Sequence, residues 1–546
     1  MLNWLRKFSR FGRDAPDTNA AEQQYEIGRS MRGIGEPARA VTCFRKAIEL
    51  DPGHLDAHID LASALLGLGA PDAAERAARG ALLLDAGSIA AHVNLGASLA
   101  DQGKFADAAD SYRAALSIDA DCTPALANLS AVCLQLGQVA EARRCMDHGL
   151  RIAPNDPEAH IRLGNVLMEQ RQPARAAESY REALRLNPRL AAGYNCLGFA
   201  LDMQGKLEDA NGSYLQALAL EPENVQAHLS RAANWLLQDD LARGWDEYEW
   251  RMRSPAHAPL FERFPQPLWD GSSLAGRRIL VQAEQGLGDE LLFASCLPEV
   301  IAQAAHCVID CEPRLAGLFQ RSFPQASVHG GKQTDDAPRL QSAGPVDVRI
   351  PAGSLPRHLR RAPASFPQHT GYLRAAPERV AFWREHLNGL GTGLKVGLSW
   401  RGGVPQTGRG LRSLELAELL PVLRTPGVRF VNLQYGPRCE ELAAFTRQHG
   451  IGIHHWQEAI DDYDETAALV SALDLTLSVS TALVDLAGAL GRPVWVLTPV
   501  RTDFRYGLRG EAMRWYPSAR VFRQSQCGEW APVVEAVAGE LARRAG

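Results

Sequence analysis

The sequence predicts an α + α/β chain, with an N-terminal helical solenoid followed by two doubly wound α/β lobes. Three observations carry that reading. Small residues recur every 34 positions through the first 224 residues. A Pro-rich stretch from Arg253 to Gly276 interrupts the pattern, and from Arg277 short buried strands alternate with helices. A chain of 546 residues is too long for a single core and divides into several lobes. We set the boundaries at 1–20 (extension), 21–252 (solenoid), 253–276 (linker), 277–390 (first lobe) and 391–546 (second lobe with a C-terminal helix).

Composition narrows the class of function. The chain is 46% hydrophobic and 22% charged, which describes a globular protein. A net charge of −5 without a long basic stripe argues against a nucleic-acid partner. No apolar run reaches the roughly 18 residues of a membrane span. The ten cysteines are scattered, form no C-x-x-C pair and include no zinc set, so they read as reduced thiols of a cytoplasmic protein. Met1 to Arg13 mixes Arg6, Lys7, Arg10 and Arg13 with Leu2, Trp4, Leu5, Phe8 and Phe11. It lacks the apolar core of a signal peptide and reads as an extension or a lid on the first repeat, with membrane-surface contact as the alternative.

The repeats set the first element. Gly28, Ala62, Gly96, Ser130, Gly164 and Gly198 form one series. Ala40 to Ala210 form a second, and Ala47, Ala81, Ala115, Gly149, Ala183 and Ala217 a third. Paired antiparallel helices approach closely only where one carries a small side chain. Large residues at Phe44, Tyr112, Met146, Tyr180 and Tyr214, with a lapse at Ala78, are expected to plug the space between neighbouring units. These residues resemble the tetratricopeptide repeat, with six units over 21–224 and a degenerate seventh in which Arg251 breaks the third series. Such a solenoid does no chemistry; its concave groove holds a peptide or partner helix. Asn94 and Asn128 share one repeat position and are candidates for a peptide backbone. His58, His92, His160 and His228 share another and read as packing residues. Trp235, Trp245, Trp250 and Trp269 around the linker predict a rigid joint.

In the first lobe, Arg278–Gln282 reads as a strand, followed by the Glu284-Gln285-Gly286-Leu287-Gly288-Asp289 turn and a helix through Val300. A strand at 308–311 and a helix at 314–323 follow, and 330–345 reads as a loose loop. In the second lobe, strands are expected at 394–400, 429–433, 451–455, 475–479 and, after Arg492-Pro493, 494–497, with helices at 414–423, 439–449 and 466–473. A helix opening at Ser480 and Thr481 offers free backbone N–H groups and two hydroxyls to a phosphate; an ordinary βαβ turn explains the same pattern. Arg401 leaves a strand into a Gly-Gly turn, and Arg409 and Arg412 follow in a Gly-rich loop. An arginine fork suits phosphate oxygens, so Arg401 and Arg412 are read as phosphate contacts. Gln434 sits just past a strand, where a base or ribose would lie, and Trp456 or Tyr463 is either a stacking or a core aromatic. His454 and His455 have no carboxylate at metal spacing and are left unassigned.

Residues 277–530 resemble the GT-B glycosyltransferases related to lipopolysaccharide heptosyltransferases. The resemblance rests on Glu284 to Asp289, on Val396-Gly397-Leu398-Ser399-Trp400, on Ser480-Thr481 through Pro493, and more weakly on Trp515 to Arg520. Repeats joined to such lobes resemble flagellin glycosyltransferases. The resemblance implies a GT-B pair of Rossmann-like lobes and a nucleotide-sugar donor on the second lobe. It implies inversion, no metal or other cofactor, and a protein acceptor such as flagellin held by the repeats. It also implies that Asp289 is the base, a residue whose position equally suits helix capping, with Gly286 and Gly288 letting substrate approach the backbone. The chain departs from the pattern at two points: Ser480 stands for an aspartate and Asp485 for a histidine. Those departures favour a one-phosphate donor, such as a CMP-activated nonulosonic acid, or a site that no longer binds. Two rivals follow: a scaffold with decayed lobes, and a transferase acting on lipid or polysaccharide.

Overall fold

The computed structural model describes residues 17–255, 258–284, 286–331, 344–403, 412–436 and 438–546. The N-terminal segment 1–13, Gln285, most of the 330–345 loop and Arg409 lie outside the described residues. The chain divides into two compact units, at Arg189 and Leu190.

The first unit is a stack of helix pairs, from Thr18–Gly33 with Pro37–Leu50 to Pro157–Glu169 with Pro173–Leu186. The helix-A glycines explain the first series. A side chain on Gly28, Gly96 or Gly164 would fall 2.6, 2.6 and 2.2 Å from the ring of Phe44, Tyr112 or Tyr180. Each ring therefore fills the space inside its own unit, against its own first helix, rather than between neighbouring units as expected. The one unit with Ala62 in place of glycine has Ala78 in place of the ring. The histidines form a repeated tie: Nε2 of His58, His92 and His160 lies 3.3, 3.1 and 3.0 Å from the carbonyl six residues earlier, in the turn between units. The two groove candidates are spent internally. Asn94 donates to the Ile59 carbonyl at 3.1 Å, and Asn128 hydrogen-bonds the Tyr112 hydroxyl.

The second unit begins with the sixth and seventh helix pairs, Ala191–Asp202 with Leu207–Leu220 and Val225–Leu237 with Leu241–Tyr248. The sequence put both with the other repeats; the compact unit puts them with the lobes. Arg251, which broke the third series, gives the reason. It is 1% exposed, grips Glu284 through two 2.9 Å hydrogen bonds, and reaches Glu249 and Ser354 at 2.8 Å. Trp245 is fully buried, donates to the Arg360 carbonyl at 3.1 Å, and meets Phe293, Phe504 and Trp515 edge-on. Asp202, also 1% exposed, pairs with Arg501 at 2.7 Å. The linker is likewise structured: Trp269 donates to Arg349 at 2.8 Å and Arg349 to Pro267 at 3.0 Å, which adds an edge to the first sheet.

Two all-parallel sheets follow. The first comprises β1 (Arg278–Gln282), β2 (His306–Cys311), β3 (Ser327–Gly330) and β4 (Val348–Pro351), in the order β3-β2-β1-β4. The second comprises β5 (Leu394–Ser399), β6 (Val428–Asn432), β7 (Leu475–Val479), β8 (Val494–Thr498) and β9 (Ala519–Arg523), in the order β6-β5-β7-β8-β9. Near-continuous burial along β1, β2, β5, β7 and β8 is what a sheet covered on both faces requires. Residues 451–455, read as a strand, contribute a single bridge from His454 to Val431. The helix expected through Val300 breaks at Phe293, and a new one starts at Leu297 with Pro298 in its first turn. All ten cysteines are free thiols. Among the described residues no helix is long and apolar enough to cross a membrane.

Candidate functional site

In a doubly wound sheet the ligand crevice opens where the strand order reverses, at the C-terminal ends of the strands. Each sheet here has one such point. In the first lobe it lies between β1 and β4, and the chain fills it. Glu284 follows β1, Gly353 and Ser354 follow β4, and Arg251 binds Glu284 and Ser354 between them. The Gly353 N–H also donates to Glu284 at 2.5 Å. Glu284 is thus half of a buried ion pair.

In the second lobe the reversal lies between β5 and β7, and there a cleft of about 770 Å³ opens. Ser399, Arg401, Gly402 and Gly403 line it from the end of β5, and Thr481, Ala482 and Leu483 from the end of β7. Gln434, Tyr435 and Arg438 follow β6, and Leu287 and Arg314 come from the first lobe. The Thr481 hydroxyl accepts from the Leu483 N–H at 3.3 Å and shares a hydrogen bond with Ser478 at 3.0 Å, so it caps the helix Ala482–Ala489. The start of that helix, two residues later than expected, therefore faces the cleft. Ser480 is buried at the same strand end, beside the Tyr506 hydroxyl.

The arginines are balanced by carboxylates. Arg401 pairs with Glu441 at 3.0 Å and with Glu415, and Arg438 pairs with Glu441 at 3.3 Å. Arg412 does not line the cleft. Gln434 is at the cleft wall, but its side chain is used to hold the β5 exit. Its Oε1 accepts from Arg401 N at 2.7 Å, Trp400 N at 3.0 Å and Ser399 Oγ at 3.2 Å, and its amide donates to the Arg401 carbonyl at 3.0 Å. Tyr435, 75% exposed, stands at the lip of the cleft.

Asp289 lies in the first turn of the helix Leu287–Phe293. The helix is capped by Gly286, not by Asp289, whose Oδ1 instead accepts from Arg505 Nη2 at 2.6 Å. Gly288 makes room for protein rather than substrate: a Cβ there would lie 2.9 Å from Asp485 Oδ2 and 3.3 Å from Ala482. Asp485 is 1% exposed and outside the cleft lining. It takes Arg505 Nη1 at 3.0 Å on one oxygen and the Tyr516 hydroxyl at 3.2 Å on the other. Burial, with Asp289 and Asp503 nearby, pushes its carboxyl up to about 7 against the pull of Arg505. Glu290 is 5% exposed and accepts from Glu312 N at 2.9 Å, and burial pushes it up to about 8.

The cleft residues that the sequence reading passed over are Arg314, Tyr435 and Arg438. Arg314 and Arg438 carry the signal that marked Arg401, an arginine just beyond a strand end next to a Pro or Gly turn. Arg505 carried no signal of a site; besides the neighbouring Asp503, its partners Asp485 and Asp289 lie 20 and 216 residues away in sequence.

Comparison with known proteins fixes the repeats. Tetratricopeptide repeat models match residues 35–98, 99–163 and 157–190, so the N-terminal region is a tetratricopeptide array. Protein FlbA of Caulobacter vibrioides is 38% identical over 328 residues, which are 57% of this chain and 54% of that protein. The chain thus spans about half the length of this curated relative. Among solved structures, Pseudomonas aeruginosa PilF covers 38% of this chain and 95% of its own at 23% identity, with a TM-score of 0.34. A tetratricopeptide repeat protein from Parabacteroides merdae covers 42% and 91% at 15% identity, with a TM-score of 0.38.

Proposed function

We propose that this chain is a cytoplasmic protein O-glycosyltransferase with a GT-B pair of lobes. The repeats recruit a protein acceptor, and the second lobe binds a nucleotide-activated sugar. The observation that carries the reading is the cleft at the β5/β7 reversal, where a helix start and Arg314, Arg401 and Arg438 converge with the exposed ring of Tyr435. In this reading Tyr435 stacks on the base, and the arginines with the helix start take the phosphate. Asp289 accepts the proton of a Ser or Thr hydroxyl as that oxygen bonds to the anomeric carbon. The sugar–phosphate bond breaks on the opposite face, and its electron pair leaves with the phosphate. The reaction inverts the anomeric centre. Asp485, paired with Arg505 outside the cleft, brings no negative charge to the phosphate, so both CMP-linked nonulosonic acids and diphosphate sugars fit the charge of the site. Flagellin is the acceptor that the resemblance names.

The scaffold reading keeps one observation in its favour, the pairing of Arg401 with Glu441 and Glu415. Co-expression with flagellin in a host that makes the activated sugar separates the two. Intact-mass spectrometry is expected to show one or more sugar increments on flagellin, lost in Asp289→Asn while co-purification persists. Unmodified flagellin that still co-purifies with the wild-type chain would leave the scaffold.

A further inference from the structure

Behind Asp289 the lobes hold a buried polar circuit whose other members have no part in the proposed reaction. Arg505 follows β8 in a short turn, Phe504–Tyr506, that is capped by the Asp503 side chain. Its Nε binds Asp503 at 3.1 Å, its Nη1 binds Asp485 at 3.0 Å and its Nη2 binds Asp289 at 2.6 Å. The Tyr516 hydroxyl donates to the far oxygen of Asp485 at 3.2 Å, Tyr372 meets Tyr516 at 3.4 Å, and Tyr372 donates to the Leu291 carbonyl at 2.7 Å. The circuit leaves the helix Leu287–Phe293 at Asp289 and returns to it at Leu291.

Of the three carboxylates on the guanidinium, the two that its terminal nitrogens hold are treated differently. Asp485 is sealed, with a side chain 2% exposed and both oxygens engaged. Asp289 has a side chain 26% exposed, and Arg505 engages its Oδ1, leaving Oδ2 outside that pair. A purely structural ion pair would need neither the open oxygen nor the sealed counter-anion. We infer that Arg505 is a positioning residue that fixes the carboxylate plane of Asp289 and leaves Oδ2 to the acceptor hydroxyl, with Asp485 and Tyr516 anchoring the guanidinium. This is the logic of a base oriented by a third group, here with a cation bridging two carboxylates. It accounts for the departure at residue 485: a carboxylate there is the anchor that an arginine at 505 needs. The inference rests on the transferase reading above.

The test uses the full chain, the nucleotide that binds it, the corresponding nucleotide sugar and flagellin, and measures kcat, acceptor KM and nucleotide Kd in parallel. The variants are Arg505→Lys and the pair Arg505→Met/Asp485→Asn, which removes the buried counter-charge together with the cation. The double variant is expected to lose about 10²-fold in kcat through a misplaced base, with Kd and KM held within about threefold. Arg505→Lys, which keeps the charge but not the fork, is expected to recover part of kcat. A kcat within about threefold of wild type in either variant overturns the inference, as does a Kd that weakens in step with kcat. Should the double variant not fold, Arg505→Lys decides alone. A wild-type chain that binds no nucleotide would instead overturn the transferase reading, so the two failures are told apart.

Discussion

A carboxyl group sealed from water without a cation beside it keeps its proton into the neutral range, and Glu290 is in that position. Desolvation is the largest cause, with Asp310, Glu312 and Glu284 adding to it against the Glu312 N–H. Its folded value, about 8, lies above the ordinary 4.5. Below that ordinary value folded and unfolded chains are both protonated, and the stability is fully present. As pH rises toward 8, the unfolded chain ionises while the folded one holds its proton, and the stability drains away. Glu290→Gln accepts the same N–H without titrating. Unfolding free energies from urea titrations should show the variant and wild type close at pH 4.5 and the variant ahead at pH 8, by on the order of a few kcal/mol. An equal gap at both pH values would contradict this. At this scale the repeats were legible and the lobes less so. Gly28 with Phe44 and Gly164 with Tyr180 lie 16 residues apart on adjacent helices, and the 34-residue period displays such a glycine–ring pair in four of six units. The Asp289, Asp485 and Arg505 cluster is assembled by tertiary packing of three separate segments and has no period to betray it.

Among the elements, the β5 exit decides whether the second-lobe cleft has a wall. Gln434, from the segment after β6, accepts from two consecutive backbone N–H groups, those of Trp400 and Arg401, and so fixes where Arg401 departs from the sheet. Gln434→Ala leaves both donors buried without that partner, at about 1–3 kcal/mol each. We expect a lower urea midpoint together with weakened nucleotide binding; unchanged values of both would mean that the exit holds itself. Strand–helix alternation made most of these elements readable, and the helix Cys439–His449 falls where the pattern put it. β3, β4 and β9 were missed because four- and five-residue strands flanked by loops carry little period of their own. His455 misled in the other direction. The 451–455 run has apolar alternation but makes one bridge, and its ring instead meets Asn432 at 2.9 Å.

For the whole molecule, composition shift and compactness divide the chain at different places. The sequence changes character at 253, yet the compact unit begins at Leu190. Buried pairs such as Arg251–Glu284 and Asp202–Arg501 cannot be read from local pattern. A chain cut to 254–546 loses Arg251 and leaves Glu284 buried and uncompensated, at a cost of about 3–5 kcal/mol. A cut to 190–546 keeps it. Thermal unfolding is expected to give a cooperative transition for 190–546 and a much lower or absent one for 254–546; comparable melting would contradict the joint described above. The same frame sets the most direct test of the central claim, that the β5/β7 cleft is a nucleotide-sugar site. CMP, UDP, GDP and ADP, with their sugars, are titrated into the full chain and heat release is followed. The account predicts micromolar binding of one nucleotide, lost in Arg401→Ala. Absence of binding by all four, or binding that Arg401→Ala leaves intact, would contradict it.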